Sequence, residues 1–494
     1  MSAPSHPIPV ELLLSRPVKQ LCSAIYVSGR KPSDALKESA LWWRGVGDFL
    51  RERVEISVDE STHTVSMMLI LDEIAVPQLI EAYKKDYPDF DADWAAEAAR
   101  LIELGAITRR ARHHGDQGCA ILPLDRNDRE LHFTPVELSS SLPDAETTRW
   151  PMGDAPNPEA PSPSIDKAQV DAATEAAFAD PDAHTAAFVA LYQGEVIAEG
   201  YAPGIHKDMQ LESWSMGKSV TGTMIGMLIH QGHFELDDPA PLAEWKNPDD
   251  PRREITIRQL MQMSSGLKCS GHNESRNTWE LGVADHFWPY YEAINVFDFM
   301  LNRPLEHPPG TVGRYRNSDP LSLGALVRRT VEGTGEEYLS WPQRELFDKI
   351  GIRKQIMETD LWGNFILTGF DYGTARNWAR LGQLYLQDGV WNGERILAEG
   401  WADFVSSPGP AWEIPEYGGQ VWLNKPGKEP NLPADAYWFG GLGLQRVIIV
   451  PSLDLVVVRL GHLRAMRPIE GEDPGPAEIC LSNALGELRK AIGR

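Results

Sequence analysis

The chain has 494 residues, 42% hydrophobic and 24% charged, with 47 Lys and Arg against 71 Asp and Glu for a net charge of −24. That length predicts two or three compact units, and the composition excludes wholesale disorder and a coiled coil. The acidic balance repels phosphate backbones and argues against a nucleic-acid partner. No apolar run reaches the roughly 18 residues of a membrane span.

The opening MSAPSHPIPVELLLSRPVKQ lacks a basic start followed by an apolar stretch. It reads as having no secretory leader, so a cytoplasmic location is expected, or a periplasmic one if a leader has been removed. Cys22, Cys119, Cys269 and Cys480 are too few for a disulfide scaffold and contain no C-x-x-C pair. They are expected as buried thiols.

In chain order, 1–140 reads as a mixed N-terminal extension of unassigned role. Ala24–Val27 and Val54–Val58 read as short strands, and 76–112 as mostly helix. His113-His114 has no ligand partner at helical spacing and reads as a solvated pair. Six prolines, Pro143, Pro151, Pro156, Pro158, Pro161 and Pro163, make 141–166 a linker hugging a neighbouring surface. A helix is expected over 167–180, then a hairpin from Ala187 to Tyr201 through Gln193-Gly194. An apolar helix runs from Ser215 to His230, ending near Gly232. A mostly helical stretch covers about 235–405. Arg446–Val450 and Leu455–Arg459 form a second hairpin. An amphipathic helix over 474–492 closes the chain, with Ile479, Leu485, Leu488 and Ile492 on one face. Strands at both ends and helices between predict an α+β domain over 167–494. It consists of one antiparallel sheet flanked by terminal helices, with a helical subdomain beside it.

No G-x-S-x-G elbow, H-E-x-x-H, phosphate loop or dinucleotide fingerprint is present, and no cofactor or metal is expected. The S-x-x-K matches include Ser164/Lys167, Ser215/Lys218 and Ser265/Lys268. The first lies in the linker and the second opens the apolar helix. The third lies in a Ser-Gly-Leu turn. On a helix, residues three apart share a face, so Lys218 can reach the Ser215 hydroxyl. The helix N-terminus favours negative charge on the serine oxygen, and burial lowers the lysine toward a working base. The alternative is an N-cap serine with a snorkelling lysine.

Tyr315-Arg316-Asn317 is the one Tyr-x-Asn among 13 tyrosines and sits on a loop entering a helix. A tyrosine beside a serine–lysine pair can relay the proton to a leaving group, and the asparagine can bond the lysine or a substrate carbonyl. The alternative is loop packing. Phe439-Gly440-Gly441-Leu442-Gly443-Leu444-Gln445 leads into the last hairpin. Glycines there let a ligand approach the backbone, and the Leu442 amide would join that of Ser215 as an oxyanion donor. The alternative is a glycine-rich turn.

Ser215-Met216-Gly217-Lys218, Tyr315-Arg316-Asn317 and the last hairpin, in that order, resemble the serine β-lactamase and penicillin-binding superfamily. The closest likeness is to its class C-like esterases, D-aminopeptidases and 6-aminohexanoate-dimer hydrolases. Ile255–Met261, Ser265-Gly266-Leu267 and Asp371–Arg376 support the likeness, which covers about 165–494. It implies a β-lactamase/transpeptidase-like fold and a serine hydrolase acting on a small ester, amide or short peptide. Ser215 would be nucleophile, Lys218 base and Tyr315 proton shuttle. Asn317 would orient Lys218 and substrate, and Gly441-Leu442 would complete the oxyanion site. The lysine or histidine that penicillin-recognising members carry before this strand is replaced by Phe439-Gly440-Gly441. That favours a substrate neutral near the scissile bond over a β-lactam or D-peptide, unless Arg446 or another cation reaches in. A β-lactamase, a D-amino-acid peptidase and a non-catalytic binding scaffold remain alternatives. The segment 272–300, with Trp279, Trp288 and Tyr290, and Trp214 beside the nucleophile are candidate pocket aromatics, or packing. Resemblance to an N-terminal extension of bacterial relatives also implies a possible Cys22–Cys119 pairing and export.

Overall fold

The structure is a computed structural model that describes residues 9–88, 92–124, 131–157, 164–271, 274, 281–425, 427–466 and 474–493. These fall into two compact units. The first comprises 1–135, 269–296 and 358–365, and the second 136–268, 297–357 and 366–494. The segments 269–296 and 358–365, taken in sequence as parts of the helical subdomain, thus cluster with the N-terminal residues.

The first unit is built from α1 (Ser15–Tyr26), α2 (Val46–Arg53), β1 (Glu55–Asp59), β2 (Thr64–Ile70), α3 (Ala75–Asp86), α4 (Trp94–Leu104), β3 (Ala106–His113) and β4 (Cys119–Ile121). The strands form an antiparallel meander in chain order. Val65, Met67 and Leu69 alternate inward on β2 and meet Val18, Leu21 and Cys22 of α1 and Leu79 of α3 in one core. Two expectations are overturned here. Ala24–Val27 is no strand: all but Val27 lies in α1, because the apolar spacing of Val18, Leu21 and Cys22 imposes a helical period that outweighs the local Ile-Tyr-Val. The helix read through Arg112 stops at Leu104. Gly105, at φ 74°, ends it, and alternation then buries Ile107, Arg109 and Ala111 on β3. His113 and His114 are half-buried, not solvated. The His113 ring stacks on Tyr26 at 5.3 Å, and burial draws His114 down to about 4. Cys22 and Cys119 are buried free thiols, so the implied disulfide is absent.

In the second unit α5 (Lys167–Ala177) leads into the hairpin β5 (Thr185–Tyr192) and β6 (Glu195–Tyr201). Gln193 and Gly194, both at positive φ, make the two-residue turn that suits the strand twist. Then come β7 (Leu211–Glu212), α6 (Gly217–His230), α7 (Ser318–Gly333), β8 (Ile356–Met357), β9 (Asp371–Gly373) and α8 (Ala375–Leu386). The chain closes with β10 (Trp422–Leu423), β11 (Tyr437–Gly441), β12 (Gln445–Val450), β13 (Leu455–Gly461) and α9 (Pro476–Ile492). Six strands form one antiparallel sheet, in the order β10-β11-β12-β13-β5-β6, so both ends of the domain meet side by side. On one face Ile448, Leu455 and Val457 pack with α5 and α9. On the other Val447 and Val456 press on Gly382 of α8, where a β-carbon would come within 2.7 Å of both. The sheet is therefore apolar on both sides, as a layered α+β fold requires. The face of α9 is corrected. Cys480, Leu481, Ala484, Leu485 and Leu488 are buried, whereas Ile479 is 43% exposed.

The described part of the proline-rich stretch clings to this unit. The Trp150 indole donates to the Gly194 carbonyl at 2.7 Å and lies under the Arg380 guanidinium. Arg380 in turn donates to Pro151, Gly153 and Asp154. Pro158, Pro161, Pro163 and Trp279 lie outside the described residues. Among the described residues no helix is long and apolar enough to cross a membrane.

Candidate active site

From Leu211 to Leu228 every residue but one is buried, and the exception is Ser215. It lies in a single 3-10 turn, Trp214–Met216, that feeds α6. Trp214 holds φ 54°, a region that bulky residues avoid, so backbone strain is stored one residue before the hydroxyl. The turn is clamped from below. Ser213 donates its N–H at 3.1 Å and its hydroxyl at 2.7 Å to the Asp371 carbonyl, and the same hydroxyl donates to the Asp371 carboxylate. β7 and β9 flank this clamp in a small antiparallel sheet with β8.

Lys218, one helical turn on, is 1% exposed, and its Nζ lies 3.0 Å from Ser215 Oγ. The Thr368 carbonyl accepts from Lys218 Nζ at 3.0 Å and from Ser215 Oγ at 3.4 Å. Desolvation holds the lysine well below its ordinary range, with only the more distant Asp371 charge opposing. The Tyr315 phenol bonds with Ser215, and Lys218 Nζ lies 4.8 Å from the centre of its ring. Burial raises the phenol, while the Ser215 bond and the Arg446 charge pull the other way. The loop is pinned on both sides of the tyrosine, Arg314 N–H donating to the Met263 carbonyl and Arg316 N–H to the Met263 sulfur. Trp422 and Tyr417 wall the ring at centroid distances of 5.0 and 5.7 Å. Asn317 is fully buried where this loop enters α7.

Gly441 ends β11 against the nucleophile turn; a β-carbon there would lie 2.1 Å from the Ser213 carbonyl oxygen. Leu442 follows, half-buried, in the turn to β12, which closes through Gly443 and Leu444 at positive φ. β10 pairs only with Tyr437 and Trp438, so Phe439–Gly441 keep a strand edge with no ladder partner on that side among the described residues.

Ser215, Lys218 and Tyr315 are thus brought together, with Gly441 beside them. Ser164/Lys167 and Ser265/Lys268 are not sites of this kind. Ser164 is exposed, and Ser265 donates at 2.6 Å to Asp319, whose carboxyl burial raises to about 6. Trp214 is 4% exposed, its indole donating to Glu212 and its ring packed on Phe370, so it presents no open face. Trp288 and Tyr290 form a 3-10 turn within the first unit, with Tyr290 buried. Sequence reasoning missed the Thr368 carbonyl and the Trp422–Tyr417 wall. The clamping role of Asp371 carries no signal in the Asp371–Arg376 stretch.

The family model described as Beta-lactamase matches residues 170–468, more than half of the chain. A 6-aminohexanoate-dimer hydrolase of Paenarthrobacter ureafaciens is 26% identical over 303 residues, 56% of this chain and 72% of that protein. A putative beta-lactamase from Bacteroides dorei DSM 17855 superposes with a TM-score of 0.51 at 16% identity, covering 67% of this chain and all of that one. A family VIII carboxylesterase does so at 0.50 and 15%, covering 65% and 97%. These two likenesses carry the fold alone. With the matched model spanning the sheet, the nucleophile turn and the tyrosine loop, the chain belongs to the beta-lactamase family.

Proposed function

We propose that this protein is a serine hydrolase that cleaves a small-molecule ester or amide through an acyl-enzyme on Ser215. One observation carries the reading: the Lys218 amine sits 3.0 Å from the hydroxyl in surroundings that disfavour its charged form. Lys218 takes the Ser215 proton as Oγ attacks the carbonyl carbon. The oxyanion is met by the Ser215 and Leu442 amides. Tyr315 delivers a proton to the leaving group and recovers one from Lys218, leaving the serine acylated. In the second half a water gives its proton to the same tyrosine–lysine pair and attacks the ester carbon. Oγ then leaves with a proton, and the cycle closes. The name of the Paenarthrobacter relative is compatible with amide cleavage of this kind. Ser215→Ala is expected to abolish p-nitrophenyl ester turnover in a folded protein; unchanged turnover refutes the reading. Penicillin acylation of Ser215 would move it toward the β-lactamase and peptidase alternatives.

A further inference from the structure

Leu442 opens a short turn, residues 442–444, between Gly441 and its ladder partner Gln445. Gly443 and Leu444 both hold positive φ, 84° and 57°. Glycine adopts that region freely, whereas leucine resists it. Such a turn keeps its shape only where its surroundings over-determine it.

Two buried side chains of the last hairpin do so. Arg459 of β13 is 1% exposed. Its Nη1 donates at 3.0 Å to the Gly443 carbonyl and at 3.0 Å to the Leu444 carbonyl, and its Nη2 at 2.6 Å to the Ala183 carbonyl ahead of β5. The Gln445 side chain donates to the Gly461 carbonyl at 2.7 Å and accepts from the Gly461 N–H at 2.8 Å. Gly461 ends β13 at a shift of register, and a β-carbon there would lie 2.6 Å from Arg459 Nη1, so this glycine leaves the guanidinium its path.

Packing does not account for the arginine. Among the described residues Arg459 forms no ion pair, and burial together with the Arg446 charge disfavours its charged form. An aliphatic side chain would fill the same interior without that penalty. What the arginine supplies is a planar fork that bonds two successive carbonyls of one turn. Those bonds fix the peptide planes that follow Gly443 and Leu444, while the ladder fixes Gly441. Residue 442 is thereby held from both ends.

We infer that Arg459 is a positioning residue for the oxyanion site, aiming the Leu442 N–H at the developing charge without touching substrate itself. This rests on the acyl-enzyme reading of Ser215 and deepens it.

The test compares p-nitrophenyl acetate with O-p-nitrophenyl thionoacetate, in which sulfur replaces the carbonyl oxygen. Sulfur is larger and a weaker acceptor, so aligned N–H donors favour the oxygen ester. A loss of folded enzyme lowers both rates equally and leaves their ratio unchanged. The readout is the ester-to-thionoester ratio of kcat/KM. Arg459→Met is expected to lower kcat/KM for the ester by about 10- to 100-fold and the ratio by about 10-fold. Arg459→Lys, which keeps the charge but loses the fork, is expected to fall between and covers the case in which the methionine variant does not fold. A wild-type ratio in the folded variants overturns the proposal. So does failure of both variants to fold, which would assign the guanidinium to the core instead of the turn. Turnover that survives Ser215→Ala, or no turnover and no acyl adduct with either substrate, is a failure of the hydrolase reading itself.

Discussion

Gly441 and Ser213 approach so closely that a β-carbon on the glycine would stand 2.1 Å from the serine carbonyl oxygen. The contact sets the strand that carries Leu442 against the turn that carries Ser215. The obstacle is main chain on both sides, so no flexible side chain can give way. Gly441→Ala is expected to cost about 1–3 kcal/mol of stability by overpacking. It is also expected to lower kcat/KM for p-nitrophenyl esters by about 100-fold, because oxyanion donors act only at fixed distance. Ester kinetics alongside thermal melting check this; an alanine variant with full activity contradicts it.

The pH dependence follows from Lys218. Burial lowers its pKa in the fold, so activity rises with pH as the amine loses its proton, well before the ordinary lysine range. Tyr315 is shifted upward and keeps its proton, so no loss is expected on the alkaline side below about pH 10. Tyr315→Phe is expected to lower the rate by about 100- to 10,000-fold without removing the acid limb, and Lys218→Ala to abolish turnover. The same shift acts on stability. Between the folded and unfolded values the unfolded chain holds the extra proton, so stability rises with pH across that window. Lys218→Met removes this slope and is expected to leave the protein more stable at neutral pH. A melting temperature below that of the wild type contradicts it.

In the first unit Lys19 and Glu358 form an ion pair, each no more than 1% exposed. Glu358 also accepts from Ser23 at 2.7 Å and from the Cys119 N–H at 2.8 Å. Lys19→Met strands this carboxylate in the interior, and a loss of about 3–5 kcal/mol is expected by denaturant unfolding. Lys19→Met with Glu358→Leu is expected to recover much of it, since the penalty lies in the unpaired charge. A single substitution that costs no more than a surface change contradicts the assignment.

The nucleophile turn was legible in sequence because its chemistry is local. Ser215 and Lys218 lie one helical turn apart, and the apolar run behind them announces burial. Tyr315 was legible from its unique Tyr-x-Asn spacing, and Gly441 from the glycines at a strand end. The terminal hairpins were legible for the same reason: Gln193-Gly194 and Pro451–Asp454 are turn signals between apolar runs. What escaped was non-local. The Thr368 carbonyl carries no side-chain signal, and Trp422 and Tyr417 reach Tyr315 only through the fold. At Ala24–Val27 a local β-branched pattern competed with a helical period set farther upstream. On α9 Leu485 and Leu488 are buried as expected, but Ile479, read without its neighbours, lies one residue off the face that Cys480 and Ala484 complete.

The central claim is that Ser215 becomes acylated with Lys218 as base. Acid quenching during turnover of p-nitrophenyl acetate, followed by intact mass and peptide mapping, tests it directly. One acetyl increment is predicted on the peptide bearing Ser215, lost in Ser215→Ala and strongly slowed in Lys218→Ala. An acetyl group mapped to another residue, or turnover and labelling that persist in Ser215→Ala, would contradict it.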